Sequence, residues 1–216
     1  MMIRGVLLLL VVSISRPAVA EFTIGPKVGT LGFGLEGSLQ LTERVGVRAS
    51  YNAFDYDWDD ELDGVSYAGD LALSSGLLLL DFRPGAGAFR LSAGIMLNGN
   101  EVDALADPAN TYEAGDNIYT LAEVGELSAT AEFDSVAPYV GFGFDLRRDA
   151  AVRFSFDAGV AFQGDPSVSI RTRGGTLSND PLLLADLEQE ARAFEEDLDS
   201  FELYPVLSFS ISYVFR

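Results

Sequence analysis

The chain has 216 residues, with 33 Asp+Glu against 14 Lys+Arg, and it contains neither His nor Cys. A formal charge of −19 excludes a nucleic-acid binder, which needs a basic footprint. The missing Cys excludes disulfide scaffolds and thiolate metal sites, and the missing His excludes imidazole general bases and imidazole-ligated metals. The 48% hydrophobic content argues against a disordered acidic tail, while 22 Gly, 15 Phe and 8 Tyr suit strands better than helices.

The chain opens with an address. Met1–Arg4 is a short basic segment, GVLLLLVVSI (5–14) is apolar, and Ala18-Val19-Ala20 is an A-x-A cleavage signal. This is a secretory signal peptide, so residues 1–20 are expected to be removed and 21–216 to form one domain. The apolar run is too short for a membrane anchor. Cleavage removes Arg4 and Arg16, taking the charge from −19 to −21. No later segment approaches the apolar length of a helical span.

Seven later segments alternate apolar and polar residues with period two, the strand signature. They are 28–41, 45–56, 65–82, 89–98, 136–146, 152–163 and 207–216. The first sets Leu31, Phe33, Leu35, Leu39 and Leu41 against Thr30, Glu36, Ser38 and Gln40. The third sets Val65, Tyr67, Leu71, Leu73, Leu77 and Leu79 against Ser66, Asp70 and Ser74. The last sets Leu207, Phe209, Ile211, Tyr213 and Phe215 against four small or basic positions.

A soluble sandwich or lipocalin-like barrel buries such an apolar face, whereas a membrane barrel turns it to lipid. Three features favour lipid. The polar faces are small, dominated by Gly, Ser and Thr, as a narrow lumen requires. The strands run ten to fifteen residues, matching a tilted bilayer crossing, where soluble strands average nearer ~5–6. Aromatics lie near strand ends, at Tyr51, Tyr67, Phe89, Tyr139, Phe162, Tyr213 and Phe215, where interfacial girdles belong.

The links 42–44, 83–87 and 147–149 are tight; 57–64, 99–135 and 164–203 are long. Short turns on one side and long loops on the other is the outer-membrane pattern, with the short turns periplasmic. Arg44, Arg83, Arg147, Arg148 and Arg216 fall on the short-turn side. Seven strands is odd where single-chain barrels are even, so an eighth strand is expected, with 21–27 and 166–172 as candidates and neither assigned. About 196 mature residues exclude a 16-strand porin.

The closing YPVLSFSISYVFR resembles the C-terminal assembly signal of outer-membrane barrels, carried by Tyr213 and Phe215, with Arg216 as one extra residue. FQGDPSV (162–168), the acidic helix-like stretch and Tyr204-Pro205-Val206 are similar to a family of small proteobacterial outer-membrane barrels, loosely of OmpA and OmpW type. The resemblance runs from about residue 27 to 215. It implies an all-β, up-and-down antiparallel transmembrane barrel in the outer membrane of a Gram-negative cell. The implied partners are lipids, lipopolysaccharide and the barrel assembly machinery; no activity is implied.

Glu36, Asp70, Asp145 and Asp157 with Arg48, Arg90 and Arg153 are the candidate lumen charges, and buried charges must pair. They predict an ion-paired, largely plugged lumen with a structural or interaction role. A narrow channel for small solutes and a soluble ligand-binding barrel are the alternatives. The acidic stretch DYDWDDELD (55–63) is read as an external loop and weak Ca²⁺ or Mg²⁺ candidate at Asp55, Asp57, Asp59, Asp60 and Asp63. It lacks the Gly and terminal Glu of a helix-loop-helix calcium site. Residues 181–199 predict a helix, capped by Asp180 and begun by Pro181, with Leu184, Leu187, Ala191, Phe194 and Leu198 as its apolar stripe. No G-x-S-x-G elbow and no phosphate loop is present, the only Lys is Lys27, and neither enzyme activity nor a cofactor is expected.

Overall fold

The computed structural model describes residues 21–62, 65–108, 111–115, 117–146, 150–198 and 201–215. The signal-peptide assignment, Asp63, Arg147, Arg148 and Arg216 lie outside them. The chain forms β1 (Glu21–Gly29), β2 (Gly32–Gln40), β3 (Val45–Leu62), β4 (Val65–Phe82) and β5 (Phe89–Asn98). β6 (Glu101–Pro108), β7 (Thr111–Ala114), β8 (Asn117–Thr120), the short α1 (Leu121–Val124) and β9 (Gly125–Glu132) follow. β10 (Val136–Leu146), β11 (Val152–Phe162), β12 (Ser167–Gly174), α2 (Pro181–Leu198) and β13 (Leu203–Phe215) complete it.

Eight of these strands close a barrel, in the order β13-β1-β2-β3-β4-β5-β10-β11 and back to β13, every neighbour antiparallel. The eighth strand is β1. Chain 28–41 is not one strand: Thr30-Leu31 is a two-residue turn, with Gly29 opposite Gly32. Gly32 has φ of 92°, a conformation that glycine adopts without strain. Pro26 hides β1 in the sequence because proline cannot donate to a ladder. The β1–β13 register lapses at Gly25 and Pro26, then resumes in step at Lys27↔Ser210.

The barrel is apolar outside and charged inside. Phe33 is 65% exposed, Leu35 61% and Leu78 57%, whereas Arg48 is 3% and Asp157 2% exposed. This sidedness is the reverse of a soluble barrel and is that of a strand-built membrane span. Phe154 and Phe209 stack on the outside, centroids 6.2 Å apart. Two groups of aromatics gather at the end where β1 begins and β13 ends: Phe22 and Tyr213 with Phe215, and Phe89 with Phe142 and Phe144. That end also carries the links at 41–44 and 83–88.

Several positions differ from their predicted side. Leu77 and Leu79 point inward while Leu78 and Leu80 face out. A run of four leucines carries no period, so its parity was open; the flanking Asp81, 3% exposed, fixes it. Leu31 tucks into the barrel from its turn, and Tyr139, 2% exposed, lies inside instead of in the girdle.

At the far end β3 and β4 continue well past the barrel. The outer half of β4 pairs β6, β6 pairs β9 and β9 pairs β12. The segment 166–172 is therefore a strand, but of this outer sheet and not of the barrel. A second apolar core forms there from Ala114, Tyr119, Val124, Leu127, Leu183 and Leu187. α2 begins as predicted, with Asp180 Oδ1 accepting the Leu182 N–H at 2.9 Å. Its buried face is Leu183, Asp186, Leu187 and Ala191; Leu184 and Phe194 of the expected stripe are exposed.

Candidate functional site: the charged lumen

The period-two parity of the barrel strands drives one set of side chains to the axis, and at the termini end that set is ionic. Lys27 of β1, Arg48 of β3, Arg83 after β4, Arg90 of β5 and Arg153 of β11 meet Glu21, Glu36, Asp81, Asp145 and Asp157. The formal charges cancel, which is the condition for holding them away from water. Arg48 is the hub. Its Nη1 is 3.2 Å from Glu36 and 2.9 Å from Asp157, and Nε and Nη2 donate to the two Asp81 oxygens at 3.1 Å each. Ser92 joins them, accepting from Arg48 Nη2 at 3.0 Å and donating to Asp81 at 2.6 Å.

A second focus is Asp145. It pairs with Arg90, with Arg83 at 2.6 Å and with the Ser155 hydroxyl at 2.9 Å. Arg90 Nη2 also reaches both Asp157 oxygens at 2.8 Å, so the two foci form one network. Lys27 is 3.1 Å from Glu36, and Arg153 pairs with Glu21 near the rim. The pocket lined by Glu36, Arg48, Asp81, Arg83, Arg90, Asp145 and Arg153 is about 10 Å³, the space of about one water.

Glycine makes room for the large groups. A Cβ at Gly141 would lie 2.5 Å from the Tyr139 hydroxyl, and one at Gly143 would lie 3.1 Å from the Arg90 guanidinium carbon. The Tyr139 ring thus lies along the wall, next to Leu31, Leu77, Leu79, Met96, Ala137, Ala161 and Val206. An apolar layer therefore occupies the lumen beyond the ionic one. Beyond that, Asn98 donates to Gln163 at 3.4 Å and Gln163 donates to the Phe201 carbonyl at 2.8 Å.

The structure brings together Glu36, Arg48, Arg90, Asp145, Arg153 and Asp157 of the predicted set. Asp70 is not among them. It is exposed on the outer sheet, in register with Asp57 on one side and Asp103 on the other. Its strand was assigned the wrong parity through the leucine run. Asp81, Arg83, Lys27 and Glu21 were missed for related reasons. The first two sit just past that run, and the others belong to the strand hidden by Gly25-Pro26.

As far as Leu62 the acidic stretch is strand and not loop. Asp55, Asp57, Asp59 and Asp60 are residues of β3, opposite Ala72, Asp70, Ala68 and Tyr67. An extended strand spreads side chains along a ladder and does not wrap them around an ion. Among the described residues no group of three or more His, Cys, Asp or Glu converges as a metal site would. Partial desolvation, with the charges of Asp57, Asp55 and Asp103, holds the Asp70 carboxyl above its usual range. Asp103 does the same to Glu101, with Glu132 adding to it. In the outer core, the Tyr119 hydroxyl and the Asn117 amide (2.8 Å) donate to Asp186 and hold its carboxyl below the usual range. The same bond pushes Tyr119 up to about 12.

No family model and no curated protein matches the chain by sequence. Solved structures do match it. Acinetobacter baumannii CarO2 superposes with a TM-score of 0.57 at 22% identity, over 90% of this chain and 98% of that one. Acinetobacter baumannii CarO gives 0.56 at 22% identity, over 89% and 97%. The chain shares the fold of these proteins. The likeness spans barrel and outer module together, because nearly all of both chains is covered.

Proposed function

We propose that the chain is an outer-membrane β-barrel whose lumen is closed by ion pairs and whose role is structural or interactional, carried by the module at the far end. The observation that supports it is the density of the lumen. Ten charged groups of cancelling sign pair across it, and the pocket lined by seven of them, Glu36, Arg48, Asp81, Arg83, Arg90, Asp145 and Arg153, has room for about one water. A conducting pore needs a continuous wet path, and eight strands leave little volume once large side chains fill it. The apolar outer face, the two aromatic groups at one end and the fold shared with CarO support the membrane location. The short links, the start of β1 and the end of β13 would face the periplasm, and the outer module the cell exterior, as the outer-membrane pattern has it. Tyr213 and Phe215, both exposed on β13, are the residues offered to the assembly machinery. Lipids and lipopolysaccharide would cover the belt. We assign the chain no catalytic step.

Planar bilayers test the lumen. Folded protein, identified by its heat-modifiable gel mobility, is expected to be silent. Discrete conductance steps would replace this reading with a narrow channel. Cell fractionation tests the location: recovery from the soluble periplasm without detergent would favour a lipocalin-like binder instead.

A further inference from the structure

Among the described residues, β3 has a neighbour on one side only past Ala53. β2 pairs it through Gly46–Ala53 and stops, while β4 pairs it along its whole length to Leu62. Phe54–Leu62 therefore present an open sheet edge about 30 Å long at ~3.3 Å per residue. Such an edge offers N–H and C=O groups, at every second residue, to another extended chain.

The two faces flanking this edge differ in chemistry. On one, Asp55 and Asp57 are exposed, and Asp70 and Asp103 continue the row across the sheet. On the other, Tyr56 and Trp58 stack with centroids 6.4 Å apart, and the Trp58 ring lies across Gly69. A second copy of this edge would set carboxylate against carboxylate, which cross-strand pairing disfavours. A cationic strand meets the opposite situation: its charges would neutralise the row.

We propose that the β3 edge beyond the barrel takes up an extended partner segment by strand addition, a segment in which basic and apolar residues alternate. Its basic side chains would stand over Asp55 and Asp57, and its apolar ones against Tyr56 and Trp58. Backbone bonds along the edge would supply affinity, and the alternation would supply selectivity. This deepens the interaction role proposed above and needs the outer module, not the closed lumen. A conducting lumen would therefore leave it standing.

Trp58 is the only tryptophan of the chain, so its emission reports directly on this edge. The probe is a ten-residue peptide alternating lysine and valine, titrated into the full folded protein in non-ionic detergent at low salt. A saturable change in Trp58 emission is expected. The double variant Asp55→Asn/Asp57→Asn is expected to weaken binding by roughly tenfold, an effect lost at high salt. A peptide of the same charge, N-methylated at alternate residues, keeps the attraction but loses the ladder donors, and is expected not to bind. Equal binding of the methylated peptide, or no Trp58 response to the parent, overturns the proposal. Because that comparison varies the peptide and not the protein, it stands whether or not the Asn variant folds.

Discussion

Arg48 shows what one side chain does in this lumen. It touches Glu36, Asp81 and Asp157 at 2.9–3.2 Å while only 3% exposed. Arg48→Met keeps much of the volume and removes the charge, leaving those acids short of a partner. Breaking one side of a buried pair costs about 3–5 kcal/mol, so the urea midpoint of the folded gel band should fall markedly. Glycine carries a second test. At Gly141 a Cβ would sit 2.5 Å from the Tyr139 hydroxyl and 2.7 Å from the Ala158 carbonyl. The backbone oxygen of a paired strand has no room to retreat. Gly141→Ala should therefore lower the same midpoint, whereas Gly85→Ala, with open space around its Cβ, should leave it unchanged.

At the scale of elements, the outer module holds two carboxylate sites with opposite responses to pH. Asp186 is held low by Tyr119 and Asn117, so its bonds stabilise above the usual carboxylate range and are lost as pH falls through its lowered value. Asp70 and Glu101 are held high, so the folded sheet binds more protons than the unfolded chain there. Their like-charge cost appears as pH rises from about 4 through the raised values. Hydrogen exchange corrected for intrinsic rates should show more protection in β6 and the outer half of β4 at pH 5 than at pH 7. The amides of β7 and β8, beside the Asp186 clasp, should show no such gain. Less protection in β6 at pH 5 would contradict the assigned sign. Which elements exist was largely legible from period and turn residues. Glu36, Arg48, Arg90, Asp145, Arg153 and Asp157 were legible because their strands alternate cleanly. Asp81 and Asp70 were not, because the leucine run Leu77–Leu80 satisfies either parity. Neither was the outer sheet, whose pairings between β4, β6, β9 and β12 join segments that no local pattern connects. Glu195 of α2 illustrates the same limit. It accepts the Val168 N–H at 2.9 Å and so covers the β12 edge, a role fixed only when two distant segments meet.

At the scale of the whole molecule, the closed lumen proposed above consists of two layers in series along one axis. The ionic layer at the termini end is held by the Arg48 and Arg90 pairs, and the apolar layer beyond it by Leu79, Met96 and Tyr139. On the proposed reading each would exclude solutes by a different physics: the ionic layer by filled and neutralised volume, the apolar layer by refusing water. Removing one therefore leaves the other intact. Tyr139→Ala with Met96→Ala should open a cavity above an unbroken ionic layer, lowering stability by several kcal/mol without conductance. Arg48→Ser with Asp157→Ser should wet the termini end, again silently, because the Tyr139 layer persists. Only the combined variant, recovered as a heat-modifiable barrel, should show steps in planar bilayers, since it alone joins the two wet ends. Steps from either double variant would mean that a single layer closes the lumen. Silence from a correctly folded combined variant would place the barrier elsewhere, at the Asn98–Gln163 lid.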